Sequence, residues 1–202
     1  MKAIEITLWI AGAALLAMFA GIEAWGEIER QRDVAAFGQA RQQAATNNAL
    51  RLQPANLADT TAPADGIAPD DAVLAILRIP GIALEVPVSY GTDEAVLLRG
   101  AGLVEGTAMP GSDGNVGIAA HRDTHFRALK DLSLGDRIEL ALPDRTQFFV
   151  VTDLWVVEPT DIHVLDDTGN PVLTLVTCYP FYFVGNAPQR FIVRAVVADS
   201  ST

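Results

Sequence analysis

The sequence contains one cysteine, Cys178, at a position where a predicted strand ends beside a loop. It follows the apolar run 172–177, and Pro180 stops a central strand because proline has no backbone N–H to donate. A thiol held at a strand end can act as a nucleophile, although a lone cysteine is often only a small buried apolar residue. A single cysteine also excludes an intramolecular disulfide, a two-cysteine metal site and a C-x-x-C redox pair.

His121 is the second candidate, because an imidazole exchanges a proton near neutral pH. It closes the strand-like run 115–120, so it resembles Cys178 in lying at a strand end, and the two side chains can meet there. The alternative is a partly exposed loop histidine. We predict that His125 and His163 are surface residues, and no spacing of histidines and carboxylates indicates a metal site.

Arg190 is the third candidate, because it follows the turn-rich segment 185–189 and opens the predicted strand 191–194. If this segment returns as a hairpin, the 12 positions between Cys178 and Arg190 (190 - 178) bring the guanidinium beside the thiol. A permanent positive charge there favours the thiolate and can hold a developing oxyanion. An arginine at a strand start is also commonly a solvated surface group.

The elements that must position these residues are mostly short strands. Alternation of apolar residues predicts a strand over 82–88, in which Pro87 indicates a sheet edge. Two short helices are predicted, Asp93 to Leu98 capped by Thr92 and Asp123 to Leu132. Seven or eight short strands with little helix predict an all-β domain, a mostly antiparallel barrel or sandwich. The other strand-like runs are 116–120, 137–142, 146–157, 172–178 and 191–197.

The 202-residue chain is 50% hydrophobic and carries a net charge of -11, so it should fold, and it should repel nucleic acid. Residues 6–22 form an apolar run of roughly 25 Å as a helix, against about 30 Å of bilayer hydrocarbon. We expect residues 1–24 to be an uncleaved single-pass anchor that contacts lipid through residues 4–24. Lys2 favours a cytoplasmic N-terminus and an extracytoplasmic remainder. A polar, partly helical stalk is predicted over 25–70, and one domain is predicted over 71–202. An unpaired thiol in an exported domain is open to oxidation, so its presence needs an explanation.

Three motifs in this order resemble those of the sortases, which are membrane-anchored cysteine transpeptidases. They are Thr174-Leu175-Val176-Thr177-Cys178, Gly117-Ile118-Ala119-Ala120-His121-Arg122-Asp123-Thr124 and the downstream Arg190. The segments 178–185 and 187–195 look most like the class D branch. Ala120 departs from the family pattern, which has glycine before the histidine; its methyl group is expected to be tolerated, with a narrower groove floor as the alternative.

The resemblance implies a closed eight-stranded barrel in which Cys178 is the nucleophile, His121 the general acid/base and Arg190 the group that orients the substrate and stabilises the oxyanion. It implies cleavage of an LPXT-type sorting motif after threonine, a thioacyl enzyme and transfer to an amine acceptor, which attaches surface proteins without a cofactor. The loops 158–171 and 179–189 are expected to wall the groove. Two alternatives stay open: a cysteine peptidase that transfers the same acyl group to water, and a non-catalytic β-barrel binding module.

Overall fold

Eight strands close into one barrel in a computed structural model that describes residues 2–51, 72–183 and 185–198. The strand order around the barrel is β1-β2-β3-β4-β7-β8-β6-β5. The pairs β2–β3 and β4–β7 are parallel, and the other neighbouring strands are antiparallel. The strands are β1 Val73–Ile79, β2 Leu84–Tyr90, β3 Ala101–Leu103, β4 Asn115–Ala119, β5 Arg137–Ala141, β6 Thr146–Val157, β7 Val172–Tyr179 and β8 Gln189–Val197.

The barrel core follows from the period-two alternation of the strands, which turns every second side chain inward. Leu173 and Leu175 of β7 are completely buried, as are Val193 and Ala195 of β8. The mostly antiparallel closed barrel is therefore confirmed. Pro87 was expected to mark an edge strand, but β2 has a partner on each side, and its pairing with β3 begins only at Val88.

Of the two helices predicted in the domain, the first is shifted by one residue and the second is shorter than predicted. The α-helix α2 spans Glu94–Arg99, and its cap is Asp93, whose side chain accepts hydrogen bonds from the N–H groups of Ala95 and Val96. The predicted cap Thr92 is therefore wrong, because the residue after it has the extended backbone and the acceptor that a cap needs. The helix predicted to begin at Asp123 is instead a series of turns followed by a 3-10 helix over Arg127–Asp131.

A long helix, α1, spans Lys2–Arg51 and packs against the barrel through a short section. Phe37, 9% exposed, contacts Ile76 and Ala141 in a small apolar cluster with Val34. Arg41 adds a hydrogen bond from Nη2 to Oγ1 of Thr146 at 2.9 Å. The sequence showed no apolar stripe here, because a contact made by residues i and i+3 alone gives no periodic signal.

The predicted anchor and stalk stay predictions. Within the described parts of the chain, no helical stretch meets the length and hydrophobicity needed to cross a bilayer. Residues 52–71, the second half of the predicted stalk, lie outside the described residues.

Candidate active site

Cys178 of β7 and Arg190 of β8 lie at one edge of the barrel, and His121 follows the end of β4, the other neighbour of β7. Cys178 of β7 is paired directly with Arg190 of β8. The parallel pair β4–β7 stays in register up to Ala119 and Val176. His121 and Cys178 each lie two positions beyond that last pair, at the same end of the two parallel strands, and the backbone N–H of Ala120 donates to the carbonyl oxygen of Val176 at 3.3 Å.

The three residues also share one face of the barrel wall. Side chains that are paired across two strands point to the same face, and the face alternates along each strand. Leu175 and its partner Val193 point into the core. Cys178 and Arg190 each lie three positions along the strand from this pair, an odd number, so their side chains point outward. The thiol is half-buried.

Ala120, the residue that departs from the family pattern, points to the opposite face from His121. It is 6% exposed and belongs to the core cluster inside the barrel. Its methyl group therefore packs into the barrel interior and not into an outward-facing groove. The reason is the strand alternation itself, which turns neighbours of an outward residue inward.

The 3-10 helix Ile162–Leu165, in the loop between β6 and β7, packs on the outer face of β4. The buried Asn115 side chain donates to the carbonyl oxygens of Val164 (3.0 Å) and Asp166 (3.1 Å) and accepts from Oγ1 of Thr174 (2.6 Å). Gly117 allows this approach, because a Cβ there would lie 2.7 Å from Cδ2 of Leu165. Buried polar contacts therefore hold the loop 158–171 against β4, and its place in the wall of a groove stays a prediction.

Glu94 is a carboxylate near His121 that the sequence analysis did not identify. Its Oε1 lies 3.7 Å from Nε2 of His121, and the two side chains are 73% and 33% exposed, respectively. The carboxylate can stabilise a protonated imidazole, but solvent weakens an exposed pair of this kind. The sequence pointed to Glu94 only indirectly, because Glu94 is the first residue of a helix whose start is set by the Asp93 cap.

The guanidinium of Arg190 is held by its own loop. Its Nη1 donates to the carbonyl oxygens of Gln189 (3.0 Å) and Ala187 (3.3 Å), and the group is partly buried. These two contacts use one of its nitrogens, and an arginine has five N–H donors in a planar fork. The pairing of Cys178 with Arg190 fixes a permanent positive charge on the strand beside the thiol.

A second link joins the residues immediately before the two strand-end candidates. Oγ1 of the buried Thr177 donates to the carbonyl oxygen of Ala120 at 2.8 Å. This bond extends the β4–β7 pairing by one position after the strand ladder ends. Sequence reasoning missed it, because it depends on the parallel neighbour of β7, which the order of residues does not reveal.

The other two histidines, predicted to be surface residues, are both at least partly exposed. His163 is exposed, and Nδ1 lies 3.0 Å from Oδ2 of Asp166. This hydrogen bond, together with the carboxylate charge, raises the pKa of His163 above its usual value. His125 is half-exposed beside the carbonyl oxygen of Leu98. Among the residues described, no group of three or more His, Cys, Asp or Glu side chains is arranged to hold a metal ion.

Comparison with known proteins decides the family. The sequence model of the family described as "Sortase domain" matches residues 77–198, more than half of the chain. The chain belongs to the sortase family. Sortase D of Bacillus subtilis (strain 168) is 35% identical to this sortase over 119 residues, which are 58% of this chain and 60% of that protein. Sortase A of Bacillus anthracis is 30% identical over 125 residues, 60% of this chain and 58% of that protein.

Solved structures agree with this assignment. A Clostridium perfringens Sortase D5 transpeptidase superposes with a TM-score of 0.59 at 28% identity, covering 65% of this chain and 82% of that one. Sortase A from Corynebacterium diphtheriae gives 0.61 at 27% identity, covering 82% and 85%. The predicted family is confirmed, and the class D resemblance agrees with the Sortase D relatives. The matched region spans less than two thirds of the two curated relatives' lengths.

Proposed function

We propose that this sortase is a cysteine transpeptidase whose nucleophile is Cys178, whose general acid/base is His121 and whose substrate-orienting group is Arg190. The observation that supports the proposal is that Cys178 pairs with Arg190 across β7 and β8, while His121 follows the end of β4, the parallel neighbour of β7. Membership of a family of cysteine transpeptidases supports the reaction class.

The proposed reaction has two acyl transfers. The Cys178 thiolate attacks the carbonyl carbon of the threonine in an LPXT-type motif, and the oxyanion is stabilised by Arg190 and a backbone N–H near Cys178. The C–N bond then breaks, and the His121 imidazolium donates its proton to the departing amine. An amine acceptor attacks the thioester carbonyl in the second step and loses a proton to His121, and the C–S bond breaks to release the Cys178 thiolate, which restores the starting thiolate and imidazolium.

The proposed substrates are surface proteins that carry the sorting motif near their C-terminus. The groove is proposed to lie between the loop 158–171, held by Asn115, and the segment 179–189 after the nucleophile. Transfer to water in place of an amine gives a peptidase on the same thioester, and a binding module with an inert Cys178 gives no thioester at all.

We further propose that residues 4–24 anchor the enzyme in the cell membrane, with the barrel outside the cytoplasm. The support is the apolar run 6–22 and the exposure of large apolar side chains along it, with Ile6, Trp9 and Leu16 59%, 77% and 72% exposed. Membrane fractionation tests this: the full chain should resist extraction by alkaline carbonate, and protease added to spheroplasts should digest the barrel. Release by carbonate would contradict anchoring.

The function is tested with the full chain in detergent, an LPXT-type peptide and mass spectrometry of the products. We expect a Cys178 thioacyl adduct and, with an added amine, a new amide; the Cys178→Ala variant should form neither. Only hydrolysed peptide at saturating amine would identify a peptidase. The absence of any adduct in the unsubstituted enzyme, with a panel of motif peptides, would favour the binding module.

A further inference from the structure

Arg122 is a buried arginine beside the candidate site with no role in the reaction proposed above. It follows His121 directly in the chain and is only 7% exposed. Burial of a permanently charged guanidinium is unfavourable unless its donors find acceptors. Its contacts therefore indicate what this residue does.

The guanidinium bridges to the segment that follows Cys178. Nη1 donates to the carbonyl oxygen of Pro180 at 2.8 Å, and Nη2 donates to that of Phe183 at 3.0 Å. The Nε atom lies 3.7 Å from Oδ1 of Asp123, whose side chain is 73% exposed. Both carbonyl acceptors belong to segment 180–183, which leaves the end of β7 and begins the return toward Arg190.

The Arg122 contacts lie beyond the end of the backbone pairing between β4 and β7. The backbone pairing of β4 with β7 ends at Ala119 and Val176, and the Thr177 side chain carries the connection one position further. Beyond Cys178, the Arg122 fork joins the chain after His121 to the segment after the nucleophile, and the guanidinium of Arg127 adds a contact 5.8 Å from the ring centroid of Tyr182. A planar fork that bonds two carbonyl oxygens fixes their separation and direction, which a single ammonium cannot do.

We propose that Arg122 is a positioning residue that fixes segment 180–183 against the strand end carrying His121, and so shapes the wall of the peptide-binding groove. The inference deepens the proposed function and rests on it. Arg122 does not contact the reacting atoms in this proposal. Its loss should therefore weaken binding of the sorting peptide more than it slows the chemistry.

The test compares Arg122→Lys with the control Arg145→Lys. Arg145 also donates to a backbone carbonyl, that of Gly111, but it is half-exposed and lies in the turn between β5 and β6. In Arg122→Lys we expect KM for an LPXT-type peptide to rise about tenfold, with kcat falling less than about threefold per active site. Alkylation of Cys178 counts the active sites, so a lower folded fraction is not mistaken for a change in kcat.

Amide hydrogen exchange provides a readout that does not depend on activity. Exchange in segment 180–183 should become faster in Arg122→Lys and stay unchanged in Arg145→Lys. Unchanged KM and unchanged exchange in Arg122→Lys would overturn the inference, as would a fall in kcat with KM preserved.

A further measurement covers the case in which Arg122→Lys does not fold. In the unsubstituted protein, NMR should show slowly exchanging Arg122 Nη–H groups coupled to the Pro180 and Phe183 carbonyls; rapid exchange of these groups would overturn the proposed contact. If the unsubstituted enzyme forms no acyl adduct, the proposed function fails, and hydrogen exchange and NMR still decide whether Arg122 fixes the segment.

Discussion

Cys178 and Arg190 face each other across the β7–β8 pair, so their relation is set by backbone hydrogen bonds between strands and not by the loop that joins them. His121 reaches the same edge from a parallel strand, and it has Glu94 as an exposed neighbour. Two predictions separate the contribution of the Arg190 guanidinium from that of Glu94.

Arg190→Lys should reduce kcat/KM at least about tenfold, because the charge survives but the planar set of donors does not. The measurement is the rate of thioacyl formation with an LPXT-type peptide. Arg78→Lys is the control, since Arg78 is an arginine on β1 that pairs with Glu85 at the surface. A rate equal to that of the control would assign Arg190 a packing role.

Glu94→Gln should reduce the rate by less than about fivefold, because an ion pair between exposed groups contributes on the order of 1 kcal/mol or less. The effect should also shrink at high salt, where such pairs are screened. Steady-state kinetics at two ionic strengths checks both points. A loss of a hundredfold or more would make Glu94 an essential partner of His121.

At the scale of elements, alternation of apolar residues was enough to predict the strands that carry the site. Two strands were not predicted, β1 and β3. The three-residue strand β3 is too short to show alternation, and β1 reads Val-Leu-Ala-Ile-Leu-Arg-Ile, a nearly continuous apolar run. The motifs indicated the three candidate residues, but the contacts of Glu94, Thr177 and Arg122 depend on which strands become neighbours. That information is carried by tertiary packing.

The hydrogen bond between His163 and Asp166, at the end of the 3-10 helix Ile162–Leu165, should depend on pH. Because the pKa of His163 is raised in the folded protein, its bond to Asp166 stabilises the fold below about pH 6.5, the unfolded value, and is lost as the pH rises through the folded pKa. In Asp166→Asn, NMR titration should give a lower His163 pKa than in the unsubstituted protein. An unchanged midpoint would contradict the contact, and His125 serves as the internal control.

At the scale of the whole molecule, the barrel and α1 are joined through a small apolar cluster around Phe37 and by hydrogen bonds from Arg30 and Arg41. Arg30 donates to the carbonyl oxygen of Glu85 at 2.7 Å. The helix that leads from the predicted anchor is thus in contact with the outer wall of the domain. The polar composition of 25–70 predicted a spacer and gave no sign of this contact.

Phe37→Ala should weaken the packing of α1 on the barrel by about 3 kcal/mol, the usual cost of truncating a buried phenylalanine. Hydrogen exchange in residues 30–41 should then accelerate by roughly a hundredfold, with little change in the barrel strands. The exposed Gln39, replaced by alanine, is the control on the same helix. Equal exchange in the two variants would show that Phe37 does not hold the helix.

The parallel pairing of β4 with β7 joins residues that are far apart along the chain: the Thr177–Ala120 bond spans 57 positions. Contacts of such long separation form only after the intervening loop has closed, at a cost in chain entropy. In an emerging or unfolded polypeptide, the thiol of Cys178 is therefore present before the imidazole of His121 is brought near it. If Cys178 and His121 act as proposed, the chain gains the capacity for acyl transfer only when the barrel closes, and a protein with a damaged barrel is inactive.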